Sequence, residues 1–346
     1  MRAQSTLSRS ATPLLRSIAS KPASRRTFAS SSRLDASYGF IGLGRMGYPM
    51  ALNLRAKIPK SDTMFIHDVN PTICEKFKQE TGNATIVQGV REVAENSETI
   101  FTVLPEPHHV QNVFAHMLRP PTLLKDASDK QERLFIDCST IDPKSSAQVA
   151  NATHSSGQGR FVDAPMSGGV VGARAGKLTF MVGSSGDIFP RVEQVLSMMG
   201  KSIVHLGPQT SGLKGKLANN YLLALNNVAT CEAMNMGVRW GLNPKTLANM
   251  INTATGRCWP SEVNNPVPGV SEDAPAGREY EGGFGTALML KDLKLALQAA
   301  AEADILPQLG TYAKEIYAAV EGNEELKGKD FSVVYKYIGG LSTPPQ

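Results

Sequence analysis

Between residues 37 and 207 short apolar runs alternate with longer stretches of helical period. Runs at 37–43, 63–67, 99–104, 133–137, 160–163, 178–182 and 202–206 are rich in β-branched and aromatic residues and read as strands. An amphipathic helical pattern at 46–56 separates the first two. Strands that alternate with helices in this way predict a parallel sheet covered by helices on both faces. From Ser211 the period changes. Residues 217–240 carry a long apolar-periodic pattern without proline, the mark of a long and mostly buried helix. Further helical patterns at 245–252, 287–303 and 309–320 make the second half all-α. Residues 259–283, rich in Pro, Gly and Asn, predict a long irregular segment, and such segments are often functional. The proline- and charge-rich stretch at 119–132 predicts an exposed loop.

A chain of 346 residues, 41% hydrophobic, is long enough for about two cores. No apolar run approaches the ~20 residues of a membrane helix, so no membrane association is expected. The net charge of +5 resides in the leader. Arg2, Arg9, Arg16, Lys21, Arg25, Arg26 and Arg33 all precede the first acid, Asp35, and the remainder holds 29 basic against 31 acidic residues. That balance argues against nucleic acid as a partner. The acid-free leader is rich in Arg, Ser and Ala, and Arg26-Thr27-Phe28-Ala29-Ser30-Ser31 resembles a matrix-peptidase site. A mitochondrial transit peptide over residues 1–35, and the matrix as destination, are expected. Cys74, Cys138, Cys231 and Cys258 lack metal spacing and the six histidines form no HExxH, so no metal is expected.

The first strand runs into Gly42-Leu43-Gly44-Arg45-Met46-Gly47, a G-x-G-x-x-G pattern. Gly42 permits the tight turn, Gly44 lets backbone approach a pyrophosphate, and Gly47 allows close helix–strand packing. A helix starting near Arg45 offers free N–H groups and a positive dipole end to phosphates. The second strand ends at Asp68, whose carboxylate suits the ribose hydroxyls of NAD and repels the 2′-phosphate of NADP. No arginine follows Asp68 directly, which favours NAD. The fold class is therefore α/β, with an N-terminal Rossmann-type doubly wound sheet for NAD over residues 36–208. An all-α C-terminal domain built on the long helix is expected over 209–346, with substrate binding and oligomerisation as its expected tasks.

Lys216, Asn219 and Asn220 form K-x-x-N-N, which places all three on one helix face. A lysine with carboxamides can hold a hydroxyl and a carboxylate, and a free amine can take the alcohol proton as hydride leaves. Such an amine needs burial or a neighbouring cation to lower its pKa. Lys214 points elsewhere on the helix. The spacing is common and equally fits a solvated lysine with surface asparagines.

Several motifs together resemble the β-hydroxyacid dehydrogenases. They are Gly39-Phe40-Ile41-Gly42-Leu43-Gly44-Arg45-Met46-Gly47, then Asp137-Cys138-Ser139-Thr140-Ile141-Asp142-Pro143, then Asp163-Ala164-Pro165-Met166-Ser167-Gly168-Gly169. The segment at 212–220 resembles the catalytic-lysine helix, and Gly282-Gly283-Phe284 through Lys291-Asp292-Leu293 resembles the late cofactor-side motif. Gly256-Arg257-Cys258-Trp259 to Asn265-Pro266-Val267-Pro268-Gly269-Val270 resembles the members that act on 3-hydroxyisobutyrate. The resemblance implies that Lys216 transfers the proton and that Asn220 orients lysine or substrate. It implies that Ser167, Gly168 and Gly169 bind the substrate carboxylate, with Asn219, Trp259 and Phe284 as further substrate contacts. Gly42, Leu43, Gly44, Arg45, Met46, Gly47, Asp68, Leu104, Pro105, Thr140 and Lys291 are then cofactor contacts. The chain departs from the family pattern at Thr210, where glycine is usual, and at Lys214, Ser184 and His109.

The function these features predict is NAD-dependent oxidation of 3-hydroxyisobutyrate to methylmalonate semialdehyde in valine breakdown. One alternative is an NADP-dependent glyoxylate or semialdehyde reductase of the same family; another is a non-catalytic NAD-binding protein. Retention of Lys216 favours the dehydrogenase. The long helix is hydrophobic nearly all round, so a homo-oligomer is expected.

Overall fold

A computed structural model describes residues 36–120 and 132–344; the expected leader at 1–35 and most of the charged stretch at 119–132 lie outside the described residues. The elements run β1 (Ser37–Ile41), α1 (Gly47–Lys57), β2 (Thr63–His67), α2 (Pro71–Thr81), β3 (Thr85–Ile86), α3 (Val90–Glu95), β4 (Thr99–Thr102) and α4 (Pro107–Leu118). There follow β5 (Leu134–Asp137), α5 (Pro143–Ser155), β6 (Arg160–Asp163), β7 (Met166–Ser167), α6 (Gly169–Arg174), β8 (Leu178–Gly183), α7 (Phe189–Leu196) and β9 (Gly200–Gly207). The remainder is helical: α8 (Ser211–Arg239), α9 (Pro244–Thr253), α10 (Trp259–Glu262), α11 (Thr286–Ala301), α12 (Gln308–Glu321) and α13 (Val334–Tyr337).

The sheet order is β3-β2-β1-β4-β5-β6-β8-β7, with β9 on β8. From β3 to β6 every pairing is parallel. This doubly wound order reverses between β1 and β4, and ligands of such sheets bind at that point, beyond the carboxyl ends of the strands. The expected sheet needs one correction. Strand β8 runs antiparallel to both β6 and β7, so the sheet is mixed beyond β6. The two short strands β3 and β7 had no run long enough to betray them.

Buried side chains on the two faces form separate clusters, one around Phe40, Leu54, Phe77 and Phe180, the other around Phe114, Phe135 and Phe161. A third cluster belongs to the helices and includes Ala224, Met234, Leu293, Tyr317 and Phe331. Helix α8 joins them, because Leu213 in its first turn packs with the sheet while Ala224 and later residues pack with the helices. Helix starts follow local chemistry. Asn70, Asp142 and Asn243 cap α2, α5 and α9 through their side chains, each followed by proline in the first turn.

Helix α1 runs from Gly47, and a helical bond from Tyr48 N to Gly44 O at 3.0 Å reaches back across Arg45, close to the expected start. It is not simply amphipathic, since Pro49, Met50, Ala51 and even Arg55 are buried. The Arg55 guanidinium is satisfied by the carbonyls of Asp62 at 2.9 Å and Pro59 at 2.6 Å. The stretch expected to be irregular at 259–283 contains α10 and a short 3₁₀ turn at Pro275–Arg278. The long helix is not buried all round, for Leu222 and Met236 stand exposed on it.

Thr210 precedes α8 with φ +76°, a left-handed conformation that costs a residue bearing Cβ about 1–2 kcal/mol. Thr210→Gly should relieve most of that strain. After the entropic penalty of glycine, a net gain of about 0.5–1 kcal/mol is expected. Urea unfolding checks it, as a higher midpoint at unchanged slope.

Candidate active site

The glycine loop lies at the β1/β4 switch point. Gly42 has φ +94°, and a Cβ there would press on the Val103 carbonyl. A Cβ on Gly47 would press on the Gly42 carbonyl, so these two glycines serve the fold itself. Gly44 differs, because a Cβ there meets nothing within 4 Å and the residue is exposed. Its missing side chain matters only to something that comes to the loop from outside. No side chain caps α1 and no acid stands in its first turn, which leaves that end open to an anion. The Asp68 carboxylate accepts from Leu43 N at 2.6 Å and from Asn70 N at 2.8 Å, and so ties the loop to the end of β2. The helix that follows is capped by Asn70. An open glycine turn, a free helix end and a carboxylate beside them fit a dinucleotide.

The ends of β4 and β5 are held together by a buried carboxylate. Asp137 Oδ1 accepts from Thr102 Oγ1 at 2.7 Å and from Ser139 Oγ at 2.6 Å. Ser139 Oγ in turn accepts from Leu104 N at 2.9 Å. Burial pushes the Asp137 carboxyl above its ordinary range, against the pull of these donors. The segments just beyond receive Lys291 from α11. Its Nζ donates to Thr140 O at 2.9 Å and to Pro105 O at 3.1 Å.

Lys216 is buried on α8, and its Nζ donates to Asn220 Oδ1 at 3.0 Å. Asn219 Nδ2 donates to the same oxygen at 3.1 Å. Asn220 Nδ2 donates to Asp292 Oδ2 at 2.6 Å, and Asp292 Oδ1 lies 3.6 Å from Lys291 Nζ. A continuous polar chain therefore runs from Lys216 through Asn220, Asp292 and Lys291 to Pro105 and Thr140. Burial lowers the Lys216 pKa, Asp292 raises it and Lys291 lowers it. Burial raises the Asp292 carboxyl, which both lysines pull back down. The three residues of K-x-x-N-N do not share one environment, since Asn219 is exposed at the rim while Lys216 and Asn220 are buried.

Ser167 ends β7, and Gly168 and Gly169 follow at φ +128° and +61°. Both glycines are exposed, and they turn the chain into α6. Trp259 and Phe284 meet through a residue the sequence did not suggest. Phe331 stacks on Trp259 with centroids 6.4 Å apart and meets Phe284 edge-on at 6.0 Å. This aromatic group draws on three separate segments of the helical part, and the 167–169 turn follows the pairing of β7 with β8.

Two carboxylates left little trace in the sequence. Asp292 was legible only as part of a Lys-Asp pair; the available signal was its place on the apolar stripe formed by Met289, Leu290 and Leu293. Asp163 was visible only as the first residue of the motif at 163–169, with no role attached. Its Oδ1 accepts from Thr210 N at 2.7 Å and Gln209 Nε2 at 2.8 Å, and its Oδ2 from Leu213 N at 2.9 Å. Burial raises its carboxyl to about 6.

Comparison with known proteins accords with this geometry. Residues 37–207 match the family described as the NAD binding domain of 6-phosphogluconate dehydrogenase. Residues 210–338 match that described as NAD-binding of NADP-dependent 3-hydroxyisobutyrate dehydrogenase. The mitochondrial 3-hydroxyisobutyrate dehydrogenase of Mus musculus is 42% identical over 300 residues, 87% of this chain and 86% of its own. That of Homo sapiens is 41% identical over 321 residues, 92% of each chain. The Mycobacterium tuberculosis 3-hydroxyisobutyrate dehydrogenase solved with L-serine is 32% identical, with a TM-score of 0.79 over 88% of this chain and 99% of its own.

The glycines separate by experiment. Gly44→Ala should leave stability within about 0.5 kcal/mol, a typical bound for a harmless surface change, yet weaken NAD binding at least about tenfold. Gly42→Ala should destabilise the protein outright. Thermal melts with and without NAD, and a fluorescence titration of NAD, distinguish the two.

Proposed function

The chain belongs to the 3-hydroxyisobutyrate dehydrogenase family of β-hydroxyacid dehydrogenases, and from that premise we propose how this site oxidises 3-hydroxyisobutyrate to methylmalonate semialdehyde. The glycine loop and Asp68 would hold NAD, whose nicotinamide would supply the hydride acceptor. The observation that carries the reading is the buried Lys216 amine, hydrogen-bonded to Asn220 and linked through Asp292 and Lys291 to the ends of β4 and β5. Burial and the Lys291 cation favour the neutral amine, the form that takes a hydroxyl proton. Asn220 fixes where Nζ sits, and Asn219 reinforces it from the rim. The backbone of Ser167, Gly168 and Gly169 receives the substrate carboxylate, as a turn with successive positive-φ glycines can. Trp259 and Phe284, braced by Phe331, wall the apolar side of the substrate. Arg45, Met46, Leu43, Gly42 and Gly47 form the phosphate loop, while Leu104, Pro105, Thr140 and Lys291 line the nicotinamide side. Holding both reactants in line supplies much of the rate.

The division at residues 208 and 209, into an NAD-binding part and a helical substrate and oligomerisation part, belongs to the same proposal. So does matrix localisation, supported by the basic leader and by the mitochondrial relatives. Exposed Leu222, Met236 and Trp240 along α8 support self-association.

Initial rates with 3-hydroxyisobutyrate, comparing NAD with NADP, test the reading directly. NAD-linked turnover is expected to exceed NADP-linked turnover, because Asp68 opposes the 2′-phosphate; turnover with NADP alone refutes that role. Lys216→Ala should lower kcat about 10²–10⁴-fold, the usual worth of a general base, with NAD binding retained. Near-full turnover in that variant sinks the mechanism. Asp292→Asn removes the charge that raises the Lys216 pKa. The rise of kcat with pH should then move to lower pH, and a profile recorded between about pH 6 and 10, around the ordinary lysine range, measures it.

A further inference from the structure

Asp163 stands where two parts of the site meet. It ends β6, at the root of the turn that carries Ser167, Gly168 and Gly169. Its carboxylate reaches across to the start of α8 and accepts from Thr210 N, Leu213 N and the Gln209 side chain. Both oxygens are used, the residue is 1% exposed, and none of the three donors is a cation. The fit is close on every side. A Cβ on Gly183 would meet Oδ2 at 2.7 Å and press harder on Oδ1, and one on Gly212 would meet Oδ2 at 2.9 Å. Leu213, the deepest of the three donors, lies one turn before Lys216.

An ordinary helix cap comes from the residue at the helix start and bonds to the next turn. Here the residue at that place is Thr210, which makes no side-chain cap and sits in the left-handed region. The cap is delivered instead from a different strand. A cap supplied from its own chain neighbour moves with the helix and fixes nothing beyond it. One supplied from the sheet sets both the height and the rotation of the first turn against that sheet.

We propose that Asp163 is a positioning residue for proton transfer: by capping α8 from the root of the substrate turn, it fixes Lys216 relative to Ser167, Gly168 and Gly169. This rests on the function proposed above, since it concerns the placing of that lysine against that carboxylate turn. The raised Asp163 carboxyl fits the picture, for the site keeps a costly buried acid where an apolar contact would serve packing alone.

Two variants test it. Asp163→Asn puts an amide N–H₂ against at least one of the N–H donors. Gly183→Ala displaces the carboxylate while keeping it. For each, kcat, the Michaelis constants for the hydroxy acid and for NAD, the pH profile and the thermal midpoint are measured, then measured again with Thr210→Gly added. Both should lose kcat about 10–100-fold, the scale of a misplacement near 1 Å, with neither Michaelis constant changed by more than about twofold. The pH at which the rate rises should stay put, because Asn220 and Asp292 still surround Lys216. Adding Thr210→Gly should raise the thermal midpoint of each variant without raising its kcat.

Unchanged kcat in both variants overturns the proposal. So does recovery of kcat together with the midpoint, which marks a cap that serves stability alone. A shifted pH profile also overturns it, since Asp163 would then act in proton transfer. Should Asp163→Asn fail to fold, Gly183→Ala carries the test. Absence of turnover in the unaltered protein is the failure of the proposed function itself, and is separable from failure of the Asp163 proposal, in which the unaltered protein is active.

Discussion

Burying the Lys216 amine is the constraint around which the site is built. An isolated ammonium away from water costs several kcal/mol even after relaxation. The structure meets this with a carboxylate one residue removed rather than in direct contact: Asn220 stands between Lys216 and Asp292. Lys291 holds the other oxygen of that carboxylate at 3.6 Å. The cluster thus contains two amines and one carboxylate, and it is neutral overall only when one amine gives up its proton. Lys291 is the more exposed of the two and donates to two carbonyls. Lys216 lies deeper, facing a carboxamide oxygen that can bond either form of the amine.

The same cluster welds the helices to the sheet. Lys291 comes from α11, Lys216 and Asn220 from α8, and the carbonyls of Pro105 and Thr140 from the loops beyond β4 and β5. Those loops flank the switch point, where the doubly wound order already directs a ligand. Asp137 holds the Leu104 end through Ser139, and Asp163 holds the α8 end. In the sheet the two are register partners, side by side at the ends of β5 and β6. Neighbouring strand ends of one sheet thereby hold both the Leu104 segment and the start of the helix that carries Lys216.

Much of this was legible in the sequence, for reasons that differ by residue. The strands of the parallel part are short apolar runs, and burial on both faces leaves that run as their trace. Gly42 and Gly47 were legible because backbone crowding admits only glycine, and Lys216 through its place in a motif. Strand β7 was not legible, because Met166 and Ser167 are too few to show a period and their pairing with β8 is set by tertiary contact. Asp292 and Asp163 were hidden for a common reason. A carboxylate's partner lies far along the chain, and in Asp163 the donors are mostly backbone N–H groups, which leave no mark in the identity of the residues that own them.

Asp137, Asp163 and Asp292 are all buried and all have their carboxyls raised by burial. A carboxyl with a folded pKa above its unfolded value binds its proton better in the native state, so its stabilisation is complete below the unfolded value and is lost as pH rises through the folded one. For Asp163 that window runs from the ordinary 3.8 to about 6. Near neutral pH the protein therefore bears an electrostatic cost at three places, and all three adjoin the same sheet edge or the lysine cluster. Selection for stability alone would remove such groups or expose them. Their concentration where Lys216 must be placed and tuned is the pattern expected when a site, and not the fold, sets the requirement.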